Sequence, residues 1–172
     1  AGMFNNTIPT GEIQGMVSRM CDLLKHGGPD DEGIYSSEDG KLVLGNRRLA
    51  LLDLSAAGHQ PMQYEGRYHI TYNGEVYNFK ELRESLKNLS HRFETNTDTE
   101  VVIAAYSRWG TQSFSMLKGM FALAIWDSTE KELILARDAA GMKPLYYTRE
   151  ENAISFASEI RALKILPGIN VS

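Results

Sequence analysis

At 172 residues, with 42% hydrophobic and 23% charged content, the chain has the size and composition of one compact domain over residues 1–172, not of a disordered or fibrous segment. A net charge of -4 without a Lys/Arg cluster offers nothing to a phosphate backbone, so no nucleic acid partner is expected. No apolar run approaches the roughly 20 residues of a membrane span and the start lacks a signal-peptide pattern, so a cytoplasmic protein with no membrane partner is expected.

In chain order, Ile13, Met16, Val17, Met20 and Leu24 repeat at helical spacing and predict a helix over about Thr10–Lys25, stopped by Gly27-Gly28-Pro29. Cys21, the single cysteine, falls in that helix as a small, partly buried thiol; it excludes a disulfide framework and a Cys-rich zinc site. Strands are predicted at Gly33–Ser36 and Lys41–Asp53, the second interrupted by Arg47-Arg48. A polar loop, "SAAGHQPMQYEG", leads into the alternating strand "RYHITYNG". Asn78 with Glu81, and Thr97 with Glu100, have capping-box spacing and predict helices at about Phe79–Lys87 and Asp98–Trp109. Four short apolar strands follow, in "GMFALAIWDS", "KELILARD", "KPLYYTR" and "AISFAS", and "EIRALKIL" predicts a closing helix. Helices near both ends and in the middle, with strands between, predict an α+β fold of antiparallel sheets covered by helices.

Ordinary catalytic patterns are absent. The four histidines are scattered, with no HExxH, so no metal is expected; there is no GxSxG, GxGxxG or GxxxxGK[ST], and no nucleotide or other cofactor is expected within these residues. In "YNGEVYN", an Asn73 amide beside a Gly74 backbone N–H forms either a two-donor cradle for an oxyanion or a plain Asn-Gly turn. Arg48, within an apolar strand, either clamps a substrate carboxylate or faces solvent at a strand edge. Asp98, at a helix start, either receives a ligand ammonium or caps the helix. Together these groups suit an amino acid carrying an amide.

Seven segments, "HGGPDDEG", "NRRLALLDLSAAGHQPM", "YNGEVYNFKELR", "TNTDTEVV", "LKGMFALAIWD", "RDAAGMKPLYY" and "FASEIRAL", resemble in this order the glutaminase domain of glutamine-hydrolysing asparagine synthetases. These are class II glutamine amidotransferases of the N-terminal-nucleophile hydrolase type. The resemblance implies a four-layer αββα sandwich of two antiparallel sheets, L-glutamine as substrate, and an ATP-dependent synthetase domain or subunit as the recipient of ammonia. It implies that Asn73 and Gly74 form the oxyanion hole, that Arg48 holds the substrate carboxylate, and that Asp98 with Glu75 holds its ammonium. Leu49 and Leu52 fall among the implied substrate-binding positions.

In that family the mature chain begins with a cysteine whose thiol attacks the glutamine carboxamide while its own α-amine moves the proton. Here "AGMF" matches except at Ala1, which offers only a methyl group. The family's His-Arg-Gly-Pro-Asp loop reads His26-Gly27-Gly28-Pro29-Asp30, and Asn5 stands where a glycine is common. Negligible glutaminase activity with retained glutamine binding is expected. Two accounts of Ala1 stand open: a substitution made to trap substrate, or a natural pseudo-amidotransferase that serves as a glutamine-binding or partner-docking module. Equally open is whether the chain is an excised domain or stands apart from its synthetase.

Overall fold

The computed structural model describes residues 1–49 and 58–169. In chain order its elements are β1 (Gly2–Asn5), α1 (Thr10–Leu24), β2 (Asp31–Ser36), β3 (Leu42–Arg48), β4 (Met62–Tyr64), β5 (Tyr68–Val76), α2 (Phe79–Asn88), α3 (Asp98–Trp109), β6 (Gly119–Asp127), β7 (Glu132–Arg137), β8 (Tyr146–Arg149), β9 (Ala153–Ala157) and α4 (Ile160–Leu163). The chain divides into two compact units, Ala1–Ala50 with Pro144–Ser172, and Leu51–Lys143.

The first unit joins the two ends of the chain. Its sheet runs β2-β3-β1-β9-β8, antiparallel throughout. Strand β1 is central: Met3 faces Val43 on one side and Ser155 on the other. Helix α1 buries Ile13, Val17, Met20, Cys21 and Leu24 in a core shared with Met3, Val43 and Leu163. The predicted apolar stripe is therefore the packed face, with Cys21 fully rather than partly buried. Burial pushes the Cys21 thiol above its ordinary range, so it packs as a small neutral group.

The second unit is built on a four-stranded sheet, β4-β5-β6-β7, also antiparallel. Helices α2 and α3 pack with β4 and β5 around a core that includes Ile70, Leu86, Ile103, Leu123 and Ile125, all fully buried. Each such side chain contributes on the order of 1.5–3 kcal/mol on leaving water. One expectation fails here. The segment read as a polar loop contains β4, where Met62 and Tyr64 are buried and Gln63 is exposed, an alternation too short to stand out among polar neighbours.

Two antiparallel sheets, each with its own helices, make the expected α+β class. No helix among the described residues is long and apolar enough to cross a membrane.

Candidate functional site

The candidate residues divide between the two units, and each set is shaped within its own. In the first, residue 1 is fixed by main-chain bonds at the head of the central strand. The Ala1 amino group donates to the Gly45 carbonyl at 2.9 Å, and the Gly45 N–H donates to the Ala1 carbonyl at 2.8 Å. This reciprocal pair leaves residue 1 little freedom. Burial holds the Ala1 amine below the ordinary α-amine value of 8.0, because the charged form loses hydration there; the nearby Cys21 partly opposes this.

Arg47 and Arg48 are adjacent on β3, so their side chains leave opposite faces of the sheet. Arg47 serves the fold: its Nε donates to the Cys21 carbonyl at 3.2 Å, and its terminal nitrogen meets Asp22 at 3.0 Å and Glu32 at 2.8 Å. Arg48, half-buried and opposite Asp31 in register, is the guanidinium on the other face. Leu49 is exposed, and Leu52 lies outside the described residues.

In the second unit the hydrogen-bond parity of β5 isolates one donor. Tyr77 N–H donates to the Lys118 carbonyl at 2.8 Å, so odd-numbered residues of this stretch bond to β6 and even-numbered ones face the opposite edge. There β4 pairs with residues 68–70 only. Tyr72 N–H is taken by the Gln60 side-chain oxygen at 2.7 Å, and Val76 N–H by Asp98 Oδ2 at 3.0 Å. Gly74 N–H lies between them with no acceptor among the described residues. Beside it the Asn73 side chain is exposed and likewise makes no hydrogen bond among the described residues.

Glycine is required at 74. A Cβ there would overlap the Met120 carbonyl and come within 2.7 Å of the Phe121 Cα. The opposing strand is anchored in turn, since Phe121 N–H donates to the Asp138 carboxylate at 3.1 Å, and that carboxylate also receives Met142 and Lys143 N–H at 2.9 and 3.1 Å. These backbone donors hold the Asp138 carboxyl below the usual carboxylate range.

Asp98 does not cap α3. That role belongs to Thr97, whose side chain accepts from Glu100 N–H at 3.3 Å, while Glu100 accepts from Glu94 and Thr95 N–H at 2.8 and 2.7 Å. The Asp98 carboxylate instead reaches β5, where Oδ2 receives Tyr72 Oη at 2.7 Å together with Val76 N–H. Asp98 is thus tied to both ends of the Asn73-Gly74-Glu75 stretch. Glu75 is half-buried within it.

Two residues absent from the sequence-based set complete this framework, Gln60 and Tyr72. Gln60 is 7% exposed and donates its side-chain NH2 to Thr99 Oγ1 at 3.4 Å as well as accepting from Tyr72. Both are polar side chains inside the segments that carry the resemblance, which is the signal that could have found them. The expected Asn78 cap is also used differently: its amide donates to the Met116 carbonyl at 3.0 Å and accepts from Lys118 N–H at 2.9 Å, pinning the end of β5 to the start of β6. No cluster of three or more metal-ligating side chains exists among the described residues.

A family model described as a glutamine amidotransferase domain matches residues 1–172. Asparagine synthetase [glutamine-hydrolyzing] 1 of Bacillus subtilis is 39% identical over 167 residues, 95% of this chain and 26% of that protein. The amidase chry2 of Gibberella zeae is 40% identical over 165 residues, 94% of this chain and 24% of that protein. The chain therefore spans about a quarter of the length of these curated relatives. Among solved structures, the glutamine phosphoribosylpyrophosphate amidotransferase of B. subtilis, complexed with ADP and GMP, superposes with a TM-score of 0.80. It covers 95% of this chain and 42% of that one at 24% identity, a likeness of fold. With its residues matched from first to last by the family model, the chain belongs to the glutamine amidotransferase domain family, of the asparagine synthetase type.

Proposed function

We propose that residues 1–172 form one glutaminase domain whose site takes L-glutamine and, with a cysteine at position 1, releases ammonia for an ATP-dependent synthetase domain or subunit. The observation that carries this reading is the Gly74 N–H, unclaimed among the described residues, bracketed by two claimed neighbours and adjoined by the Asn73 amide, likewise unclaimed among them. Two such donors suit the oxyanion of amide cleavage. Arg48 holds the glutamine α-carboxylate, Asp98 and Glu75 hold its ammonium, and Leu49 and Leu52 contribute to the same substrate site.

In the reaction, the thiol of a cysteine at position 1 gives its proton to the α-amine, and the thiolate attacks the carboxamide carbon. The C–O double bond becomes an oxyanion facing Asn73 and Gly74. The protonated amine returns its proton to the leaving nitrogen, the C–N bond breaks, and ammonia departs. Water then hydrolyses the thioester to glutamate. The depressed basicity of the amine at residue 1 supports this role, because a neutral amine is the form that accepts the proton. The relatives' names support asparagine as the product of the synthetase that uses the ammonia.

Ala1 has no sulfur, so the chain as it stands binds glutamine without turning it over. A second reading, a pseudo-amidotransferase that only binds glutamine or a partner, draws support from Gly27. A Cβ at Gly27 meets nothing within 4 Å, so packing does not exclude the basic residue expected from the resemblance. Glutamate release by an Ala1→Cys variant, beside calorimetry of glutamine with the original chain, separates the readings. Turnover by the variant supports the glutaminase; glutamine binding without turnover in either supports the binding module.

A further inference from the structure

We infer that Tyr72 is a positioning residue that fixes the carboxylate of Asp98 with Oδ1 turned toward the substrate ammonium. This rests on the glutamine reading above and adds a residue to it. Asp98 is 5% exposed and pairs with no cation among the described residues, an arrangement that costs stability unless the charge is otherwise satisfied. Its two oxygens are used unequally. Oδ2 takes both Tyr72 Oη at 2.7 Å and Val76 N–H at 3.0 Å, and Oδ1 takes no hydrogen bond among the described residues.

A carboxylate turns readily about its terminal torsion, and a single donor leaves that rotation loose. Two donors from different directions onto one oxygen lock it, which leaves Oδ1 as the acceptor. Tyr72 is itself held, 5% exposed in the core with its N–H bound by Gln60, so its hydroxyl has one place to go. Burial and the adjacent Asp98 charge push the phenol well above its ordinary range, and it remains a donor throughout the working pH range. Val76, the second donor, lies two residues beyond Gly74, so the lock on Asp98 and the orientation of the oxyanion donor share one strand edge.

The test compares L-glutamine with glutaramate, the same molecule without its α-amino group, by calorimetry on the unmodified chain and on Tyr72→Phe. Phenylalanine keeps the ring in the core and removes only the hydroxyl. Glutamine affinity is expected to fall about tenfold, the scale of one hydrogen bond to a charged group, while glutaramate affinity changes less than about twofold. In an Asp98→Asn background, Tyr72→Phe should have no further effect on glutamine, and thermal melting confirms that each variant is folded. Equal weakening of both ligands in a folded Tyr72→Phe chain, or unchanged glutamine affinity, overturns the positioning role while leaving the glutamine reading intact. Failure of the unmodified chain to bind glutamine overturns that reading, and the role of Tyr72 falls with it.

Discussion

Ala1 and Gly45 exchange both of their main-chain hydrogen bonds, at 2.9 and 2.8 Å, so the residue at position 1 is set by a central strand of its sheet rather than by a loose terminus. Ala1→Cys changes a methyl group for a thiol on a backbone that is already in place, and glutaminase activity is expected to appear. Its pH profile follows from the amine. Because burial disfavours the protonated form, the native amine loses its proton at lower pH than a free one, and the base is available earlier on the pH axis. The rising limb of kcat/KM for the variant should therefore have its midpoint below 8.0, the ordinary value for this group. A midpoint at or above that value would remove the amine from the role of base.

Gly74→Ala tests the oxyanion donor. The added methyl has no room against Met120 and Phe121, so the strand must shift at the residue whose N–H is unclaimed among the described residues. In the Ala1→Cys background we expect kcat to fall by about 10²–10³-fold, the scale of losing one such donor. Overpacking should also lower stability by about 1–3 kcal/mol. Turnover kinetics and chemical denaturation read the two effects separately, and an undiminished kcat would place the oxyanion elsewhere.

How much of this was legible in the sequence depended on the range of the interaction. The bounds of α3 followed from Thr97 and Glu100, three residues apart, and the buried face of α1 from its own periodicity. Strand β4 was missed because only Met62 and Tyr64 mark it. That β1 pairs with both β3 and β9 has no local signature, since Met3 and Ser155 meet across nearly the whole chain. The Asn73-Gly74 pair stood out locally, but what sets the plain-turn reading aside is its pairing with Ala122 and Phe121 of β6, and the flanking N–H groups are claimed by Gln60 and Asp98 from elsewhere in the chain. Arg48 stood out locally as a guanidinium within an apolar strand, whereas the structural role of its neighbour Arg47 came only with the contacts of α1 and β2.

Gly27 and Gly28 adjoin in sequence but differ in what surrounds them. A Cβ at Gly28 would lie 2.5 Å from the carbonyl of Arg47, whereas one at Gly27 meets open space. Gly28→Ala should therefore destabilise the fold by about 1–3 kcal/mol, while Gly27→Ala should stay within about 0.5 kcal/mol of the original. Gly27→Arg should be tolerated as well, and in the Ala1→Cys background it tests whether the basic residue expected from the resemblance raises turnover. Thermal melts of the three variants check the packing claim, and equal losses at the two glycines would contradict it.

Acid should weaken the fold in two separate windows. His69, buried on β5, has its pKa lowered from 6.5 because the charged imidazolium would lose hydration. Between the native and unfolded values the unfolded chain binds the proton and the native chain does not, so stability falls as pH drops below about 6.5. Asp127 has its pKa lowered from 3.8, chiefly because Arg67 donates to both of its oxygens, at 2.8 and 2.6 Å. Its contribution is present above the unfolded value and is lost as pH falls further, through the native one. Denaturation midpoints measured from about pH 7 to pH 3 should show a first decline that His69→Gln flattens and a second that Asp127→Asn flattens. A first decline unchanged by His69→Gln would mean that the buried imidazole is not the group taking up the proton.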